Sequence, residues 1–270
     1  MEPLEKLRCS SKKNVQLFAI LVMNNFFALI GEYTIFNVMV IGHFPKIIKR
    51  FREILKQMKR VGYDSLFLIA ITSAFTGLVT SMQASYQTSG YIPESLIGVL
   101  VGKATMIELA PVLTGLVLTG KIGASLAAEI GTMRVSEELD ALEAMAIDSV
   151  GYVYLPRILA TSLMVPLLEI FAVVVGIFSA FALSIFKYGI NGYTFFSNMR
   201  NFFQPSDLWA GVIKAFIFGI IISTIGCFAG SKTKNGAEGV GRAATITVVY
   251  SSILILISDF IVAALLFGNL

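Results

Sequence analysis

Apolar residues gather into five stretches long enough to cross a bilayer, at residues 64–86, 107–129, 153–186, 207–229 and 243–267. About 20 apolar residues in a helix span the roughly 30 Å hydrocarbon core, so each is expected to be a transmembrane helix. The third, at about 50 Å by the 1.5 Å helical rise, exceeds a perpendicular span. It should tilt, bend near Pro166 or project from the membrane. Residues 15–42 are also apolar but are interrupted by Asn24, Asn25, Gly31, Glu32 and Asn37. Between this segment and the first strong stretch, Ile47, Ile48, Phe51, Ile54, Leu55 and Met58 recur at helical spacing. Lys46, Lys49, Arg50, Arg52, Lys56, Lys59 and Arg60 fill the other positions, the pattern of a basic amphipathic helix on an anionic membrane surface.

Loop charge orients these elements. Residues 43–62 and 230–242 are rich in Lys and Arg and are expected in the cytoplasm. Five spans from residue 64 onward then place 130–152 inside, 87–106 and 187–206 outside, and the C-terminus outside. The two outside loops hold only Lys103, Lys187 and Arg200, so charge and parity agree. If residues 1–13 (Lys6, Arg8, Lys12, Lys13) are also cytoplasmic, residues 15–42 enter and leave on one side, so an interfacial or re-entrant segment is expected; the alternative is a sixth span with an external N-terminus. Residues 15–30 resemble a signal-peptide core, but no convincing small-residue cleavage site comes after them, and the segment is expected to stay in the mature protein.

Composition supports an all-α integral membrane protein. The chain is 56% hydrophobic and 14% charged, with mean hydropathy +0.80, against about 25% charged residues in ordinary soluble domains. Its net charge of +4 resides beside apolar runs rather than on one folded face, which argues against nucleic acid as a partner. Cys9 and Cys227 lie far apart and form neither a metal spacing nor a disulfide framework. His43 is the single histidine, and no H-E-x-x-H, C-x-x-C or G-x-S-x-G occurs, so neither catalysis nor a metal site is expected. Gly115–Ile122, "GLVLTGKI", has the G-x-x-x-x-G-K spacing of a phosphate-binding loop. It lacks the Ser or Thr that should come next and lies inside an apolar span, so this chain is not expected to bind ATP.

Several charges interrupt the spans: Glu108, Lys121, Glu129, Glu169, Lys214 and Asp259. A charge at mid-membrane costs about 2.5–3.5 kcal/mol even on the lenient insertion scale. These residues should therefore pair, lie near a span end, or line a polar pathway. The opposite anomaly is "RVSEELDALEAMAID", residues 134–148, a soluble-looking segment between two spans. Ser136 is the expected N-cap, with Glu137, Glu138 and Asp140 at the positive helix end. Leu139, Leu142, Met145 and Ala146 form an apolar stripe interrupted by Glu138, opposite Glu137, Asp140 and Glu143. An exposed stripe of this kind is a docking surface; the plain alternative is a helix lying on its own bundle.

Residues 108–160, "ELAPVLTGLVLTGKIGASLAAEIGTMRVSEELDALEAMAIDSVGYVYLPRILA", resemble the signature region of the MlaE (YrbE) permease family. Residues 241–269 resemble that family's last span, and the resemblance extends over most of the chain from about residue 45. It implies a homodimer whose copies each carry an N-terminal interfacial element and five transmembrane helices. It implies cytoplasmic ATPase subunits that use ATP and Mg, a ring of six MCE-domain subunits outside, a small STAS-type regulatory subunit, and phospholipid as cargo. The segment matching 134–146 is the family's coupling helix, which assigns ATPase coupling to Arg134, Glu137, Glu138, Leu139, Asp140, Leu142, Glu143 and Met145. Glu108, Lys214 and Asp259 match residues of the family's lipid cavity, and Lys121 falls where Arg or Lys is usual. Glu169 lies outside the pattern and is assigned to the polar pathway with a nearby Lys as partner. The Arg that often precedes the Glu of "ELxP" is Ile107 here, so a headgroup cation is either missing or supplied by Lys121 or Lys214.

The resulting expectation is an N-terminal interfacial element, residues 1–62, leading into a five-helix permease domain, residues 63–270. Without its own cofactor, it would move phospholipid between a bacterial inner membrane and an MCE partner. An ion-coupled secondary transporter using Glu108, Glu169 and Asp259 is the alternative, although no internal repeat is evident.

Overall fold

The computed structural model describes residues 27–46, 50–88 and 96–268. The chain divides into two compact units, Met1–Pro45 and Lys46–Leu270. In the first, helix α1 runs over Phe27–Gly42. The described part of this helix is about 24 Å long by the helical rise. Its polar groups are satisfied locally: Thr34 Oγ1 donates to the Ile30 carbonyl and Asn37 Nδ2 to the Tyr33 carbonyl, each at 2.8 Å. The expected re-entrant element at 15–42 lies partly outside the described residues.

The second unit contains the five long apolar helices: α2 (Phe51–Thr88), α3 (Ile97–Val135), α5 (Val150–Tyr188), α7 (Pro205–Ser231) and α8 (Gly236–Phe267). Two short helices join them, α4 (Glu138–Ala144) between α3 and α5, and α6 (Gly192–Asn201) between α5 and α7. No strand occurs among the described residues. This is an all-α, multi-pass membrane protein.

Helix α2 corrects one sequence boundary. The basic stretch is not a separate surface helix ending near residue 62, because α2 continues without interruption from Phe51 through the first span. Phe51, Leu55, Arg52, Lys56 and Lys59 are exposed, whereas Ile54 is buried. Arg50 instead stacks over the Tyr152 ring at 4.7 Å, and Arg60 binds Glu129, so these two cations face protein. The side chains of Lys46 and Lys49 lie outside the described set.

Small residues let the long helices approach closely, which substitutes for the hydrophobic drive that lipid does not supply. A Cβ on Gly77 of α2 would sit 2.0 Å from the Gly176 carbonyl oxygen of α5. On α7, a Cβ on Gly230 would sit 2.9 Å from the Ala127 carbonyl of α3. Phe218, Ile222, Leu118 and Ile255 fill the space between α3, α7 and α8, all fully buried. Helix α5 contains Pro166 without ending there and stops at Gly189, whose φ of +65° suits a residue without Cβ. At the same end of α5, Phe195 of α6 is fully buried, 5.4 Å from the Phe181 ring.

Helix α3 is not a uniform α-helix. It widens to π-helix at Thr105–Leu109 and again at Thr119–Gly123. Each π-turn inserts a residue and rotates the helical face beyond it, a device concentrated at functional sites. Glu108 lies on the first and Lys121 on the second. The G-x-x-x-x-G-K stretch is thus helix throughout, with no strand-to-helix turn to cradle phosphate.

Candidate functional site

Lys214 is the centre of a charged cluster. It lies on the buried face of α7 with Asp207, Gly211 and Phe218, at helical spacing. Its side chain is 0% exposed. Nζ donates a hydrogen bond of 2.5 Å to Glu108 Oε2, from the first π-turn of α3. Asp259 Oδ1, from α8, lies 2.8 Å away on another side. That distance makes an ion pair, but Oδ1 has no hydrogen bond, so Asp259 holds the ammonium by charge and Glu108 holds it by both. Asp259 occurs on the buried stripe of α8 with Ser251, Ile255 and Val262. By the helical rise, the three positions lie about 12–17 Å from the nearest ends of their helices, well inside the apolar lengths.

The cluster is asymmetric. Asp259 is 13% exposed, but the Glu108 side chain is 47% exposed. A carboxylate anchored from behind by a buried ammonium is therefore presented on the surface of an apolar helix. Ile107, the preceding residue, adds no charge beside it. Lys214, enclosed by two acids, has no surface to offer a headgroup.

Two other expected pathway residues lie apart from this cluster. Glu169 is fully buried in α5 and neither carboxylate oxygen has a hydrogen-bond partner, so the expected lysine pair is absent among the described residues. Its carboxyl lies against Gly211, where a Cβ would sit 2.9 Å from Oε1. Lys121 belongs to a different cavity, on the side of α3 facing α2, and makes no ion pair among the described residues.

Sequence reasoning missed two ion-pair groups. Glu129 accepts from Arg60 at 2.8 Å and from Arg157 at 2.7 Å, tying α2, α3 and α5 together. Lys103 lies 3.6 Å from Asp207, which is almost fully buried in the first turn of α7. Partners contributed by different helices leave no spacing signal. The available hint was the presence of opposite charges at matching depths on neighbouring spans.

The connecting helix α4 differs from expectation at its start and on one face. Ser136 ends α3 rather than capping α4; Glu137 occupies that place with φ of +59° and no side-chain cap. Arg134 bridges to Asp140 across the turn at 2.5 Å, and Ser149 donates to Glu143 at 2.9 Å. Leu139 is only 2% exposed, so the centre of the apolar stripe is already covered by the chain itself. Leu142 is half-buried, whereas Val135, Glu137, Glu138, Asp140, Glu143 and Met145 remain exposed.

The match to known proteins is extensive. A model of the family described as "Permease MlaE" matches residues 54–265. This chain belongs to the MlaE permease family. A probable ABC transporter permease of Rickettsia bellii is 39% identical over 88% of the chain and 92% of its own length. A probable ABC transporter permease of Synechocystis is 40% identical over 80% of the chain and 82% of its own. The Haemophilus influenzae intermembrane phospholipid transport system permease protein MlaE is 35% identical over 83% and 86%. These similarities place the MlaE-family chain among ABC permeases, in preference to an ion-coupled secondary transporter.

Proposed function

We propose that this chain is the homodimeric permease of an ABC transporter that moves phospholipid between a bacterial inner membrane and an external MCE-domain hexamer. The observation behind this reading is Glu108, half-exposed within an apolar helix that must face either lipid or another chain. A bare charge there costs about 2.5–3.5 kcal/mol. A polar chamber between two copies, each supplying Glu108 backed by Lys214 and Asp259, removes that cost and accommodates a headgroup. Glu108 lines this chamber, while Lys214 and Asp259 orient it. The Haemophilus relative's phospholipid transport supports the same cargo.

Energy enters from a separate ATPase, which binds ATP and Mg and presses on the 134–146 segment from the cytoplasm. Its docking surface is the exposed edge of α4 with the residues flanking it, chiefly Val135 at the end of α3, Glu138, and Met145 just after α4. Leu139 transmits the push inward because it is buried in the permease itself. In this orientation the C-terminus is external, and a STAS-type subunit belongs to the cytoplasmic assembly. Coupling then consists of one ATPase state favouring one lipid affinity.

The test is ATP-dependent lipid transfer in proteoliposomes containing the complete complex. Glu108→Gln should reduce transfer while leaving ATPase association intact. Undiminished transfer by both Glu108→Gln and Glu108→Leu overturns the chamber reading.

A further inference from the structure

Lys121 and Glu108 are thirteen residues apart on α3, which separates them by about 20 Å along the axis at 1.5 Å per residue. The cavity beside Lys121 is therefore distinct from the Lys214 cluster. It lies between the beginning of α2 and the second π-turn of α3, with a volume of about 60 Å³. Arg60, Asp64, Ser65, Lys121, Ser125 and Glu129 contribute its polar wall.

Two features of this wall are unfinished. Ser65 is 1% exposed, and its hydroxyl has no hydrogen-bond partner although it lines the cavity. A buried hydroxyl in that state loses about 1–3 kcal/mol of hydration. Lys121, half-buried on the opposite wall, has no counter-charge among the described residues. The acids nearby do not fill that need. Glu129 is taken by Arg60 and Arg157, and Asp64 makes no ion pair with Lys121 among the described residues. The lining charges balance, Arg60 and Lys121 against Asp64 and Glu129, but with Glu129 held by Arg60 and Arg157 the Lys121 ammonium is the cation left without an ion-pair partner among the described residues.

We propose that this cavity binds a phosphate ester, with Lys121 as its counter-charge and the Ser65 hydroxyl as its inner hydrogen-bond donor. Size supports the assignment. A single water needs about 10–15 Å³ of such volume, so the cavity holds roughly four waters or one phosphate group, but no acyl chain. A lipid would thus insert its headgroup here and leave its tails outside. For a membrane phospholipid the assignment rests on the permease reading above and adds a second headgroup position at another depth. A soluble phosphate ester would satisfy the same chemistry.

Native mass spectrometry of the full-length protein in mild detergent separates these sources. The probes are phosphatidic acid, diacylglycerol as its phosphate-free counterpart, and glycerol 3-phosphate as soluble competitor. Lys121→Gln should weaken phosphatidic acid binding about tenfold, the loss of one charge-assisted hydrogen bond. Ser65→Ala should weaken it about threefold, and Lys121→Arg should retain it. Lys187→Gln, on an exposed lysine elsewhere, should change nothing. Displacement by glycerol 3-phosphate shows that the phosphate group alone suffices; Lys121-dependent binding without displacement identifies the lipid. Equal binding by wild type and Lys121→Gln, or equal Lys121 dependence for diacylglycerol, overturns the proposal. Failure of lipid transfer in the Glu108 variants leaves this binding result unaffected, so the two readings fail separately.

Discussion

Replacing Lys214 with Met should destabilise the protein more than any other single change in the charged cluster. The side chain is 0% exposed and lies 2.5 Å from Glu108 and 2.8 Å from Asp259. At an effective dielectric of 20, each contact represents about 6 kcal/mol of Coulomb attraction. Desolvation of the buried ammonium cancels much of that, and breaking a buried pair from one side typically costs about 3–5 kcal/mol. Met retains the stem's packing, so the loss reports charge rather than volume. Two carboxylates then face each other across the gap with no cation between them. Removing all three charges, as Glu108→Gln, Lys214→Met and Asp259→Leu together, should restore most of the lost stability, because no unpaired charge remains. Equilibrium unfolding in mixed detergent micelles measures both. The reasoning is refuted if Lys214→Met unfolds within about 0.5 kcal/mol of wild type, the range of an ordinary surface change. It is equally refuted if the triple variant is less stable than Lys214→Met alone.

Other substitutions probe separate parts of the argument. Leu139→Ala should cost about 2–5 kcal/mol of stability, as for a buried leucine, whereas Met145→Asp should cost under about 0.5 kcal/mol yet reduce co-purification of the ATPase; melting curves and pull-downs distinguish them, and unchanged association after Met145→Asp rejects the docking edge. Gly77→Ala should cost about 1–3 kcal/mol by forcing α2 from the Gly176 carbonyl. Gly120→Ala, with nothing within 4 Å of its new Cβ, should be neutral or stabilising by up to about 1 kcal/mol; equal melting shifts would contradict the close-approach argument. Glu169→Met should raise stability by about 1–3 kcal/mol, since it removes a buried carboxyl with no partner at similar side-chain volume. A lower unfolding midpoint for that variant would mean that Glu169 has a structural partner.

The sequence by itself determined the membrane character, the five long apolar helices and the positions of the charges inside them. Hydropathy is local along the chain, and the bilayer converts a run of apolar residues directly into a required helix length. The soluble-looking segment between α3 and α5 was legible for the same reason. Only the tertiary structure decided how those charges combine, because pairing depends on the rotation of each helix about its axis. Glu108 meets Lys214 across 106 residues, while Lys121, on the same helix, turns to another cavity. Two π-turns intervene in that rotation, and neither changes the hydropathy pattern along the chain. Likewise Leu139 and Met145 belong to one apolar stripe in sequence, but packing buries the first and leaves the second 63% exposed. Periodicity identifies a helix's apolar face; the neighbouring helices determine which part of that face remains available to a partner.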